Sequence, residues 1–484
     1  MHTPCFPALR PRLAALGRRT AHTVRQTTLA QLQQHLRDCL PAPLLASEDD
    51  GPNSRERVFS LRLTFECFVW QMLKPKTSCR EVVRQVQVLF RLHGRGAVDE
   101  GDSAYIQARQ RLPRERLEKA LRATAQTADR RAGSAGQLGG RPVKVIDGTT
   151  TQLPDTPENQ KAYPQPGSQK PGCGFPVLKL AVLFSLASGA LLDVILDSLR
   201  SHDLRLFRRL WECLKAGDIV LGDRAYGEYA TLAGLPRQQV DGVARLHQRR
   251  KVDFRKAKRL ACNDGLFSWK KGCQQSAIFT VPEWRQLPEQ ITVRLLRFTA
   301  VIRGFRARRI TLVTTLLDPE AYPAEQLAAL YARRWRLELC LRDLKTTLGM
   351  EQLRCQSPAM AQKEVLAYFI AHNLVHCVMS EAAAVQEAPL DRISFKGTVD
   401  AVRQYSAALA QARHHKMRRQ LWEDLLRNLA RDLVPRRPDR REPRAVKRRP
   451  KPYPLFNQPR GQFVESSHRS RYGKGHHRNY PGLN

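Results

Sequence analysis

Three acidic residues far apart in the chain stand where their carboxylates could meet. Asp147 closes the apolar run VKVI, Asp223 closes IVLG, and Glu338 lies within AEQLAALYARRWRLELCLRDLKTTLGM, residues 324 to 350. Acids at the ends of two neighbouring strands, joined by a third from a helix packed on the same sheet, would bring three negative charges to one point. They repel strongly unless cations relieve them. Two Mg²⁺ ions would do so, since Asp and Glu supply the hard oxygen ligands that Mg²⁺ prefers. A pair of such ions about 3.5 to 4 Å apart activates water or a 3′-hydroxyl on one side of a phosphodiester and stabilises the leaving oxygen on the other.

The stretch that carries Glu338 is built to present it. Pro323 suits the start of a helix, and no further Pro or Gly occurs until Gly349. At about 100° per residue, Tyr331, Arg334, Glu338 and Lys345 fall on one narrow stripe. Leu330, Leu337, Leu341, Leu344 and Leu348 form an apolar stripe beside it. Cations near the acids would hold a nucleic-acid backbone and offset charge at phosphorus.

Each acid also has an ordinary reading. Asp147 in DGTT could form a turn, Asp223 could pair with Arg224, and Glu338 could make an i, i+4 pair with Arg334. Other acids are assigned structural roles: Asp155 and Glu158 in a loop, Asp193 and Asp197 on a strand, and Asp203 as the cap of the following helix.

Composition narrows the partners. The 484 residues carry 82 Lys and Arg against 45 Asp and Glu, a formal charge of +37, which favours a polyanion over a membrane. No apolar run approaches the ~18 residues that span a bilayer, so a soluble chain is expected. The N-terminus, with Arg10, Arg12, Arg18 and Arg19, has no continuous apolar core and reads as a basic tail rather than a secretory signal. Eleven cysteines without a C-x-x-C pair fit reduced thiols of a cytosolic protein, and disfavour a zinc site.

The chain divides by the period of its apolar residues. Residues 1–45 form a basic tail. Residues 46–130 read as helices: SLRLTFECFVWQML, then CREVVRQVQVLFRL behind a Ser78–Glu81 capping box, SAYIQARQRL, and a fourth helix from Pro113 with Leu117, Leu121 and Ala125 on one side. With Arg84, Arg109 and Arg111 on outer faces they suit DNA docking, although an ordinary helical bundle would read the same way. After the linker RAGSAGQLGG come PVKVIDGTTTQL, VLKLAVLFSLAS and ALLDVILDSL as strands, HDLRLFRRLWECLKAG as a helix and DIVLGDRAYG as a strand. Residues 140–235 and 310–385 thus outline an α/β fold of ribonuclease-H-like type, interrupted at 236–309 by a mostly β insertion. RITLVTTLL returns the chain to the central sheet. The apolar helix from 361 to 385 covers it, helix continues through 386–433, and a Pro- and Arg-rich tail at 434–484 is expected to be disordered.

DGTT at Asp147, GDRAYG around Asp223 and Y-x2-R-x3-E-x6-K, here Tyr331, Arg334, Glu338 and Lys345, resemble the three motif regions of the insertion sequence 4 family of DDE transposases. The last motif matches at all four positions. The aspartates lie 76 residues apart, and 115 residues separate Asp223 from Glu338, which leaves room for the β insertion such proteins carry. The resemblance covers roughly residues 55 to 385. It implies a bacterial, cytoplasmic cut-and-paste transposase in which Asp147, Asp223 and Glu338 bind two Mg²⁺ ions, replaceable by Mn²⁺. Tyr331, Arg334 and Lys345, with Arg224 beside them, would contact DNA. The implied partners are double-stranded transposon ends with inverted repeats, target DNA and a second copy of the chain, with no membrane. A Trp of the β insertion, Trp269 or Trp284, would hold a flipped base if a hairpin forms. The alternatives are a domesticated nuclease with the same core, and a non-catalytic basic DNA-binding protein whose acids are structural.

Overall fold

The computed structural model of the protein describes residues 39–45, 57–92, 96–134, 136–276, 278–300, 308–412, 414–435 and 453–463. Most of the two basic tails read from the sequence, residues 1–38, 436–452 and 464–484, lies outside the described residues.

Four helices precede the sheet: α1 (Leu61–Leu73), α2 (Cys79–Leu92), α3 (Ser103–Arg111) and α4 (Arg114–Ala132). Ser60 caps α1 by accepting from the Leu63 amide at 3.3 Å. Ser78 Oγ accepts from the Glu81 amide at 3.2 Å, but the Glu81 carboxylate pairs with Lys74, so only half of the expected capping box forms. Leu117, Leu121 and Ala125 are buried one turn apart on α4. Arg84 and Arg111 are exposed as expected, whereas Arg109 is not an outward residue. It is 9% exposed, with its guanidinium over the rings of Phe68 and Tyr105 at 5.0 and 5.2 Å. A planar, weakly hydrated cation can be buried this way against aromatic faces.

The linker read at 131–140 holds a tight hairpin of β1 (Gln137–Leu138) and β2 (Arg141–Gln152), with Gly139 and Gly140 at positive φ. The next strands are β3 (Val177–Ser185), β4 (Leu191–Ser198), β5 (Ile219–Gly222), β6 (Asp241–Arg245), β7 (Lys258–Ala261), β8 (Asp264–Lys270), β9 (Gln290–Ala300) and β10 (Arg308–Thr314). Among the described residues they form one mixed sheet in the order β4-β3-β2-β5-β6-β10-β9-β8-β7, with β1 paired on β2. Strands β2, β3 and β4 make an antiparallel meander, β5 runs parallel to β2, and β6 runs parallel to β5. The β-rich stretch therefore adds to the same sheet, because β10 lies antiparallel between β6 and β9. Helix α5 (Asp203–Leu210) follows β4 and is shorter than its sequence pattern, ending in a 3₁₀ turn at Trp211–Cys213.

The core lies on both faces of the sheet. Val143 and Val145 of β2 point into one buried cluster, shared with the N-terminal helices and a 28-residue helix, and Ile146 points into another with Leu183, Phe207 and Trp211. This is the two-residue period of a strand read directly in burial. The long helix, Pro358–Val385, begins with Pro in its first turn and has the length and hydropathy of a membrane span, contrary to the expectation that no apolar run comes near. Its most apolar window is 94% buried inside the protein, as a core helix is. The helical stretch after it is two helices, Phe395–Gln411 and His415–Arg431.

Candidate active site

The parallel pairing of β2 with β5 sets Val145 opposite Leu221. Carrying that register on two residues puts Asp147 level with Asp223, which follows the last residue of β5. Both side chains line one open cleft of roughly 450 Å³, together with Gly148, Thr149, Thr150, Lys179, Asp203, Ala225 and Tyr226.

Glu338 arrives from a helical segment far along the chain. Residues 324–350 were expected to form one helix, and the structure divides them into α6 (Ala324–Arg333), α7 (Trp335–Arg342) and a π turn at Asp343–Thr347. Arg334 sits at the joint between α6 and α7. Its guanidinium lies 4.0 Å from Asp147 Oδ2 and 3.6 Å from Glu338 Oε1, so one cation spans two acids that are 191 residues apart. The Tyr331 ring supports it, with the Arg334 Cζ 5.7 Å from the ring centre. Half-burial raises the Asp147 carboxyl above its ordinary pKa, and the neighbouring charges of Asp223 and Glu338 add to the rise. The Gly148 amide, which donates to Asp147 Oδ1 at 2.8 Å, and Arg334 oppose it. Asp223 is oriented locally, its Oδ1 accepting from the Ala225 amide at 2.7 Å. Burial raises the Tyr331 hydroxyl, and the fields of Arg334 and Arg245 oppose the shift while that of Asp223 adds to it. Asp147, Asp223, Tyr331, Arg334 and Glu338 are thus gathered at one place.

Lys345 falls in the π turn, where burial lowers its ammonium pKa and the acid acting on it is Glu351. Wide turns of this kind shift the stripe that a regular helix would keep in line.

Two comparisons bear on these residues. Residues 138–374 match the family described as Transposase DDE domain, an interval that contains all three acids. Over 412 residues the chain is 26% identical to the transposase InsG of insertion sequence element IS4 from Escherichia coli strain K12, covering 83% of this chain and 88% of that protein. Together these support a DDE transposase of the insertion sequence 4 family. A shorter stretch of 69 residues is 36% identical to the transposase of insertion sequence element IS421 from Escherichia coli, covering 14% of this chain and 18% of that one. Among solved structures, a piggyBac transposase synaptic complex with hairpin DNA aligns with a TM-score of 0.41 and 9% identity, covering 85% of this chain and 84% of that chain.

The transposase places its other expected residues as follows. Arg224 is exposed and donates to the Gln248 side chain at 2.8 Å rather than pairing with Asp223. Trp269 is half-buried under Arg250, whose Cζ is 4.1 Å from the ring centre, and Trp284 is half-buried edge-on against Tyr229. Asp193 pairs with Arg122 at 2.8 Å and Asp197 with Arg209 at 3.4 Å, both in structural roles. Asp203 does not cap α5, because His202 takes that position through Nδ1. Instead Asp203 turns to Lys179 at 2.8 Å, on the wall of the cleft. Neither Lys179 nor Asp203 was read as a site residue. A lone lysine inside the apolar run VLKLAVLFS was the available signal. Trp335 was also missed: it is 62% exposed beside Arg334, an unusual position for so large an apolar ring.

Proposed function

We propose that this transposase hydrolyses the phosphodiester at each end of its own mobile element and then directs the freed 3′-hydroxyls onto target DNA, a cut-and-paste reaction. The observation that carries the reading is the convergence of Asp147 and Glu338 on the Arg334 guanidinium, with Asp223 close enough to Asp147 to act on its carboxyl. DDE transposases as a family use divalent metal ions, and the donor set here fits that use. Three carboxylates offer only hard oxygen ligands, and a bound cation would offset both the burial that chiefly raises the Asp147 pKa and the smaller repulsion from Asp223 and Glu338 that adds to it. Asp147, Asp223 and Glu338 would hold two Mg²⁺ ions, which Mn²⁺ can replace. Bound there, the ions would activate the attacking oxygen and stabilise the leaving one.

The remaining residues position the DNA. The planar fork of Arg334 can hold two oxygens of a phosphate, and the Tyr331 ring fixes its orientation. Lys345 and Arg224 offer further cations for the backbone. The antiparallel meander followed by two parallel strands supports a ribonuclease-H-like core formed by residues 140–235 and 310–385, with 236–309 as its insertion and 46–130 as a DNA-docking module. Double-stranded element ends and target DNA are the substrates, bound by two copies of the chain.

The test is Mg²⁺-dependent cleavage of a duplex bearing the element's end, by wild type and by Glu338→Gln. The substitution keeps shape and removes the charge of a half-exposed side chain, so folding survives. Cleavage is expected to fall by about a hundredfold or more. Equal rates in the two proteins would remove the assignment.

A further inference from the structure

We propose that Cys340, His372 and His376 form a second metal site, distinct from the carboxylate cluster and suited to a cation that prefers thiolate and imidazole ligands, Zn²⁺ first. Cys340 comes from α7, the helix that carries Glu338, and the two histidines lie one turn apart on the long core helix Pro358–Val385. Sγ and one ring nitrogen of each histidine all lie within 4.8 Å of one another. The three side chains are buried, with exposures of 9%, 0% and 5% in chain order.

Hydrogen bonding points the same way. His376 Nδ1 lies 2.7 Å from the Ser188 carbonyl oxygen, so it carries the proton and donates. Nε2 is then a bare lone pair, and it has no partner among the described residues. A metal-binding imidazole whose other nitrogen is held by a backbone carbonyl has this arrangement. Neither ring nitrogen of His372 meets a partner at full hydrogen-bond geometry among the described residues, although the adjacent Asn373 side chain acts on the ring. Buried polar atoms are rarely left so. Burial also lowers the pKa of both imidazoles, His376 to about 4, which leaves them neutral and able to ligate.

The space at the site is kept open by a glycine. A Cβ on Gly189 would stand 2.8 Å from His376 Cε1, 3.1 Å from Nδ1 and 3.4 Å from Cys340 Sγ. Binding would displace the Cys340 thiol proton to solvent and form bonds from Sγ and two imidazole nitrogens. Soft and borderline donors select zinc over the Mg²⁺ of a carboxylate site. The ordinary alternative is a pair of neutral imidazoles packed on Phe395, whose ring stacks on His372 at 5.0 Å. Under the metal reading, the ion pins the Glu338 helix to the core helix and the β3–β4 turn.

Cobalt decides between them. The full chain is freed of metal, given excess Mg²⁺ to fill carboxylate sites, and titrated with Co²⁺ under reducing conditions. About one cobalt per chain with a thiolate-to-cobalt charge-transfer band is expected. The band should be lost in Cys340→Ser, weakened in His376→Gln and retained in Glu338→Gln. A wild-type chain that shows no such band, or a band that persists in Cys340→Ser, overturns the proposal. The wild-type titration alone can do so, whether or not a variant folds.

Discussion

Asp147 binds its proton more tightly than a free aspartate, first because it is half-buried and then because Asp223 and Glu338 face it. A carboxyl with a raised folded pKa lowers stability once it is ionised. The penalty is absent below the unfolded value, grows through the interval and is complete above the folded value. Metal-free Asp147→Asn is therefore expected to be no less stable than wild type at neutral pH, by melting and by denaturant titration, while its cleavage is lost. The same shift predicts that protons compete with metal at this carboxyl, so the Mg²⁺ concentration needed for half-maximal cleavage rises on lowering pH from above the ordinary aspartate range; Mg²⁺ titrations of cleavage at several pH values read this. Trp335 supports a second expectation. Its ring is 62% exposed next to Arg334, so Trp335→Ala should leave the melting temperature unchanged and weaken binding of single-stranded element ends by about 1–3 kcal/mol, the range for loss of one base stack. The three acids were legible because type, order and spacing coincide in one sequence. Lys179 and Asp203 were not, because their pairing joins a strand to the helix start after the next strand. The cysteine–histidine cluster escaped for a related reason: H-x3-H inside an apolar helix reads as core filling until Cys340 is folded against it.

Strand and helix types were legible wherever apolar period was strong, as in β2, β3 and α4, and less so where neighbours decide the backbone. The joint at Arg334 and the π turn at Asp343–Thr347 lie in a stretch with no Pro or Gly, so nothing local announces them. A buried ion pair shows how far the interior can depart from a simple pattern. Arg294 of β9 is fully buried and donates to Asp264 of β8 through Nε at 2.8 Å, and through Nη1 to the carbonyls of Asp318 and Tyr322 at 3.2 and 2.7 Å. It thereby ties the β-rich stretch to the segment that enters α6, and so to the joint that holds Arg334. Arg294→Ala would leave Asp264 buried without its cation, at a cost of about 3–5 kcal/mol measured by urea unfolding. Pairing it with Asp264→Leu should recover part of the loss, since the stranded charge is then gone. A single substitution that costs nothing would mean that this pair does not anchor the stretch.

Across the whole molecule, a formal charge of +37 coexists with a cluster of acids in one cleft, and the two features make separable contributions. The described C-terminal segment 453–463 returns to that cleft: the Tyr453 hydroxyl is 2.9 Å from Thr150 Oγ1, three residues beyond Asp147. Phe456 packs on Phe175 with ring centres 4.8 Å apart, and Arg460 pairs with Asp155 at 2.5 Å. The residues joined to it, 436–452, contain nine Lys and Arg against two acids. Each phosphate neutralised by such cations releases counterions, so DNA affinity should fall steeply with salt, by about 10³–10⁵ between 50 and 200 mM if six to ten phosphates are engaged. In the proposed reaction the carboxylates would hold metal rather than phosphate, and as anions they contribute no cation to that count. Glu338→Gln should therefore bind element ends with the same slope of log affinity against log salt as wild type while failing to cut them, a contrast read by titrating one labelled duplex at several ionic strengths. A variant whose slope falls along with its cleavage would mean that the acid cluster shapes the DNA-binding surface itself, and the separation of binding from chemistry would not hold.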